Sequence, residues 1–133
     1  MIFVDTSALY AYLDAGDEHH AGARRTLAGL LDARADLVSS SYVAVETSAL
    51  VQQRLGAAAV RVLHEDVLPT VRISWIDEAT HRAATAALLA SPGRGVSLVD
   101  HVSFVLMREL GVTRAFAFDA DFESQGFELI PAP

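Results

Sequence analysis

Short apolar runs that stop at an acid or a hydroxyl residue, then give way to helix-spaced apolar positions, recur along the chain and limit its fold more than any other feature. Ile2-Phe3-Val4 ends at Asp5-Thr6-Ser7, all favourable helix N-caps, and Ala8-Leu9-Tyr10-Ala11-Tyr12-Leu13 follows as helix. This predicts a buried strand feeding a helix. After the polar stretch Asp14 to His20, residues Ala21 to Ala33 read as helix, and Leu37-Val38-Ser39-Ser40 as a second strand. Val43 to Leu55 is expected as a helix closed by Gly56, and Ala57 to Leu68 as one that Pro69 ends. Val71 to Ile76 is rich in β-branched residues, Asp77 to Leu89 returns to helix, and Ser91 to Gly95 is a loop. Ser97 to Leu110 is apolar nearly all round, as a central helix would be. Ala115 to Phe118 forms a strand ending at Asp119, and Glu128-Leu129-Ile130 forms the last. Strands alternating with helices predict an α/β fold with a parallel sheet wrapped by helices, and ligands at the carboxyl ends of the strands.

With 133 residues, 52% of them hydrophobic, and no internal repeat, low-complexity tract or linker, the chain reads as one domain spanning 1–133. A domain of this size buries about two thirds of its unfolded surface, which excludes a disordered chain. All ten basic residues are arginine, so chemistry that needs an ε-amine is excluded: Schiff bases, P-loop phosphate cradles and kinase-type Lys–Glu pairs. The absence of cysteine excludes thiol nucleophiles, disulfides and thiolate zinc sites. A small domain without disulfides suits a reducing cytosol, and a cytoplasmic location is expected. The opening carries an acid at Asp5 and its first arginine only at Arg24, so neither a signal peptide nor a membrane span is expected. A net charge of −7 is a poor balance for coating nucleic acid by phosphate neutralisation alone. A nucleic-acid substrate would have to be met by metal ions or a local arginine patch.

Asp5 and Asp119 each follow an apolar strand, so a parallel sheet would bring these two distant carboxylates to one rim. Taken singly, Asp5 also suits a helix cap and Asp119 a turn. Asp100 stands three residues after Ser97, which is equally a capping-box pattern. Glu46 is harder to assign to structure. Helical spacing places it beside Tyr42, Ala49 and Leu50 on an apolar stripe, with no basic residue within four positions. A carboxylate in the core costs several kcal/mol unless paired, protonated or metal-bound. Together Asp5, Glu46, Asp100 and Asp119 form a cluster of hard oxygen donors that suits Mg²⁺ or Mn²⁺.

Four motifs in order then resemble a known family. Asp5-Thr6-Ser7-Ala8-Leu9 after a strand, Ser41-Tyr42-Val43-Ala44-Val45-Glu46, Ser97-Leu98-Val99-Asp100, and Phe118-Asp119-Ala120-Asp121-Phe122 followed by Gly126-Phe127 look like the PIN domain, specifically the VapC-type toxins. The resemblance covers nearly the whole chain. It implies a three-layer α/β/α fold and a Mg²⁺-dependent endoribonuclease leaving a 5′-phosphate and a 3′-hydroxyl, with Mn²⁺ able to substitute. It also implies a toxin held by a cognate antitoxin protein. Carried over by position, Asp5, Glu46, Asp100 and Asp119 are the acidic quartet, with Asp5 and Asp100 in direct metal contact and Asp121 an additional acid at the rim. Many relatives have a hydroxyl residue two positions before the fourth acid, where this chain has Ala117, which leaves the roles of Asp119 and Asp121 undivided.

Thr6 and Ser7 are candidates to position water or phosphate, and Arg94 in the Gly93-Arg94-Gly95 loop to meet RNA phosphate near Asp100. His19-His20 reads as a solvated pair, and His101 points about 100° away from Asp100 around its helix. Apolar side chains on more than one face of Ala8 to Leu13 and Val43 to Leu55 predict a covering partner, either an antitoxin segment or a second copy in a homodimer. A catalytically inactive PIN-like interaction module, with the acid rim docking a basic peptide, is the alternative function. A phospho-receiver also clusters acids at strand ends, but it relies on a lysine this chain lacks.

Overall fold

The computed structural model describes residues 1–91 and 95–133. Among them, five short strands form one sheet: β1 (Ile2–Val4), β2 (Leu37–Ser40), β3 (Arg72–Ser74), β4 (Arg114–Phe116) and β5 (Glu128–Ile130). All pairings are parallel, and the spatial order is β3-β2-β1-β4-β5. The chain therefore builds outward from β1 to one side, then crosses to the other. The crossing makes the β1/β4 boundary a topological switch point, where the loops leaving neighbouring strands diverge and open a crevice. Phe3 pairs with Val38 on one side and Ala115 on the other, and Phe3 and Val4 are fully buried, which is why β1 reads as a continuous apolar run.

Among the described residues seven α-helices flank the sheet: α1 (Thr6–Leu13), α2 (His20–Asp32), α3 (Ser41–Leu55), α4 (Ala57–Val62), α5 (Glu78–Ala90), α6 (Leu98–Leu110) and α7 (Asp121–Ser124). The predicted α/β/α architecture is what the chain adopts, and α6 is the expected central helix, burying His101, Val102, Ser103, Phe104, Leu106 and Met107. Helix starts differ from the apolar pattern by a residue or two: α1, α2 and α3 begin earlier, and α5 and α6 begin one residue later, after their caps Asp77 and Ser97. Asp5 caps α1 and Ser40 caps α3, each accepting a backbone N–H from the first turn. The stretch from Ala57 to Leu68 departs from prediction. Only its first part is α-helical; a π turn (Leu63–Val67) and a 3₁₀ turn (Leu68–Thr70) follow, with Leu63 and Val67 both buried. Pro69 sits inside that last turn, where its missing N–H costs nothing.

An aromatic cluster fixes the far side of the crevice. Phe104 of α6 meets Phe122 of α7 edge to face with ring centroids 5.0 Å apart, and Phe122 also contacts Phe3 and Phe127. This anchors the short α7 and the loop that carries Asp119. No helix among the described residues is long and apolar enough to cross a membrane.

Candidate active site

Asp5 leaves the end of β1 and caps α1, so its carboxylate is held at the crevice while only 3% of the residue is exposed. Its Oδ2 accepts from the Ser7 N–H at 3.1 Å and from the Ser7 hydroxyl at 2.7 Å. Burial pushes its pKa up to about 7 against those two hydrogen bonds, and the like charges of Asp100 and Asp119 add to the rise. The Ser7 hydroxyl in turn accepts the Phe118 N–H at 3.0 Å. That bond explains why β4 is shorter than its apolar run. The backbone leaves the ladder at Phe118 and bonds to a side chain from the β1 loop instead.

Asp100 occupies the first turn of α6 and serves two purposes. Its Oδ2 accepts from the Ser97 N–H at 3.0 Å while Ser97 Oγ accepts from the Asp100 N–H at 3.1 Å, a complete capping box. The cap aims the same carboxylate at the β4 loop, where carboxylate oxygens of Asp100, Asp119 and Asp121 lie within 4.8 Å of one another. Burial raises the Asp100 pKa first, with the charges of Asp119 and Asp121 adding to it and the Ser97 bonds opposing. Asp121 is also raised, by desolvation and then by its neighbour Asp119, whose Oδ1 accepts the Asp121 N–H at 2.9 Å.

Glu46 departs from the expected placement. The buried stripe of α3 runs through Val43, Thr47 and Val51, one position round from Glu46, so its side chain is half-buried at the edge rather than in the core. Desolvation still raises its pKa, a Thr6 hydrogen bond opposes this, and the charge of Asp100 adds to it. Thr6 accepts from the fully buried Thr47 hydroxyl at 3.0 Å, a supporting contact the sequence does not advertise because Thr47 reads as an ordinary helix position. The rim thus has two tiers. Asp100, Asp119 and Asp121 converge, and Asp5 and Glu46 lie outside that close set while feeling its charge.

A model of the PIN domain matches residues 2–128. The chain belongs to the PIN-domain family. VapC20 of Mycobacterium tuberculosis, described as a 23S rRNA-specific endonuclease, is 36% identical over 128 residues, covering 96% of this chain and 95% of that protein, in two strains. A crystal structure of Mycobacterium tuberculosis VapC20, described as a sarcin-ricin loop cleaving toxin, matches with a TM-score of 0.80 at 32% identity, covering 96% of each chain. FitAcB from Neisseria gonorrhoeae matches with a TM-score of 0.69 at 18% identity over 97% of this chain and 96% of that one, a likeness of fold.

Around this PIN-domain crevice, the remaining sequence expectations divide. Ser7 and Thr6 have hydroxyls engaged inside the protein, with Asp5 and Phe118 in one case and with Thr47 in the other. Arg94 lies outside the described residues. The histidine pair is not simply solvated. His20 Nδ1 lies 2.8 Å from the Ala11 carbonyl oxygen, and His19 stacks on Phe118, because the turn after α1 folds back against the β4 loop. His101 is buried edge-on against Phe104, with no hydrogen bond to its Nε2. The apolar surface expected on two helices is present on α3, whereas on α1 it is partly covered. Arg24 and Arg54 cover the Tyr12 and Tyr10 rings of α1, whereas Trp75 after β3 is 81% exposed and Val45 on α3 is 68% exposed. These two flank a groove of about 470 Å³ whose floor includes Ala44, Leu68 and Ile73.

Proposed function

We propose that this PIN domain is an endoribonuclease toxin that hydrolyses RNA phosphodiester bonds at its acid rim with Mg²⁺, Mn²⁺ substituting. The observation that carries this reading is the convergence of Asp100, Asp119 and Asp121 at the β1/β4 switch point, supported from outside the set by Asp5 and Glu46. None of these five acids is ion-paired with an arginine or histidine among the described residues. Crowded like charges without counter-charges suit a hard divalent cation, and the donor set contains oxygen only. Asp100, Asp119 and Asp121 would hold that cation, with Asp5 and Glu46 completing a rim of five acids. When bound, Mg²⁺ would supply Lewis acidity and positive charge at the phosphate. Ser7 fixes the Asp5 carboxylate, and the capping box orients Asp100 before substrate arrives. In the reaction a water oxygen bonds to phosphorus, the bond from phosphorus to the 3′ oxygen breaks, and that oxygen takes up a proton. The products are a 5′-phosphate and a 3′-hydroxyl.

The 36% identity to a 23S rRNA-specific endonuclease makes 23S rRNA the first substrate to test. The groove beside Trp75 and Val45 supports a covering protein partner, which in this reading is a cognate antitoxin whose arginine reaches the acid rim, with a second copy as the rival cover. A cytoplasmic site of action follows from the RNA target. Purified protein should cut RNA in Mg²⁺ and be silenced by chelation, and end-mapping of total cellular RNA after induction should show discrete new 5′ ends together with growth arrest. Soluble full-length protein that neither cuts RNA nor slows growth would leave the interaction-module reading in its place.

A further inference from the structure

Resting on the ribonuclease reading, we infer that the His19–Phe118 stack is a platform for one unpaired RNA base beside the cleaved phosphodiester. The His19 imidazole lies on the Phe118 ring with centroids 4.4 Å apart and planes 8° from parallel. Phe118 immediately precedes Asp119, and its N–H is held by the Ser7 hydroxyl that also donates to Asp5. The aromatic pair is therefore tied to the acid rim on both sides, by the chain and by a hydrogen bond. Glu18 Oε1 lies 3.3 Å from the imidazole Nε2. With one face stacked on Phe118, the His19 side chain is still 45% exposed, so the ring is accessible to a ligand.

The stack walls a cavity of about 540 Å³ that Arg25 also lines. Arg25 has no carboxylate partner among the described residues, so its guanidinium fork is available to a phosphate oxygen. Glu18 and Glu123 share the same cavity. Their charges disfavour a long run of backbone there, and the face suits one base with its own phosphate. Unpaired bases stack on aromatic rings whatever their identity, whereas a base inside a duplex has no free face to offer. The platform accordingly selects RNA that is single-stranded next to the scissile bond.

The test uses the full chain in Mg²⁺ and a single-stranded RNA octamer carrying 2-aminopurine, mixed in a stopped-flow instrument so that fluorescence is read before cleavage. Wild type should quench the probe on binding. His19→Ala should lose the quench and bind roughly 5- to 150-fold more weakly, the range of a single base–aromatic stack. His19→Phe should restore both. His19→Leu separates stacking from packing: it should melt like His19→Phe but bind like His19→Ala, because leucine covers Phe118 without offering a π-face. Quenching and affinity unchanged in His19→Ala, or binding by His19→Leu equal to His19→Phe, would overturn the platform. Quenching by a wild-type protein that cuts no RNA would refute the nuclease reading and leave the platform standing. Cleavage with no quench at any labelled position would do the reverse.

Discussion

The Ser7 hydroxyl donates to Asp5 Oδ2 at 2.7 Å, and this one contact joins the cap of α1 to the acid rim. The same oxygen accepts the Phe118 N–H, so Ser7 also joins β1 to β4 across the switch point. Ser7→Ala removes both bonds, leaving the Asp5 carboxylate with the Ser7 N–H alone and the Phe118 N–H without a partner. An orphaned buried group costs about 1–3 kcal/mol. Denaturant unfolding should show a loss in that range, and the cleavage rate should fall because Asp5 is no longer fixed. A variant as stable and active as wild type would remove Ser7 from the site.

The metal-free protein should lose stability as pH rises from about 4 to about 7. Asp5 has a folded pKa of about 7 against an ordinary value near 3.8, so through that window the folded state holds more protons than the unfolded state. Glu46 and Asp100 are raised as well and act in the same direction. Asp14 and Asp77 are lowered by hydrogen bonds at turn and cap, and the stability they contribute is lost only as pH falls below the ordinary carboxylate range. Unfolding free energies in EDTA from pH 4.5 to 8 check the slope, and Asp5→Asn should flatten it. A flat profile for wild type would contradict the raised values.

Asp100 is both cap and rim acid, and two substitutions separate the roles. Asp100→Asn keeps an oxygen that can accept the Ser97 N–H and removes the charge. The metal-free protein should be as stable as wild type or more so, while the stabilisation gained from Mg²⁺, which follows RT ln(1 + [Mg²⁺]/Kd), should shrink. Cleavage should fall by orders of magnitude. Ser97→Ala removes the reciprocal cap, should cost about 0.5 to 2 kcal/mol, and should retain the Mg²⁺ response. Thermal melts with and without Mg²⁺ measure the two stabilities and the two Mg²⁺ shifts, and an RNA cleavage assay measures the rate. An Asp100→Asn protein that is destabilised with an unaltered Mg²⁺ shift would show Asp100 to be a cap alone.

Phe122 is fully buried between Phe3, Phe104 and Phe127, one position from Asp121. Phe122→Ala should cost about 3–5 kcal/mol through lost transfer energy and the cavity left behind. Because the same ring seats the loop that carries Asp119 and Asp121, the Mg²⁺-induced shift should weaken together with stability. Phe122→Leu, which refills most of the volume, should recover much of both. Calorimetric melts of the two variants provide the comparison.

Much of this protein is written in patterns that act over a few residues. Ile2-Phe3-Val4 before Asp5, and Ser97 three residues before Asp100, announce a buried strand, two helix starts and their caps, because capping and periodicity depend only on near neighbours. Alternation of such units leads to a parallel sheet with Asp5 and Asp119 on one rim, and the structure has that arrangement. What the sequence leaves open depends on contacts between distant segments. Glu46 stands at the edge of the core because α3 turns Val43, Thr47 and Val51 inward, a rotation set by its packing on α1 and not by its own residue spacing. Asp121, set down by sequence as an additional acid, lies within the close group because Phe122 and the Asp119 carboxylate fix the loop around it. His19 lies on Phe118, 99 positions away, because the turn after α1 folds back onto the β4 loop. Local preference set which residues become strand, helix and cap, whereas the crevice exists because β1 and β4 became neighbours, and the long-range packing that joined them determines how far apart its acids stand.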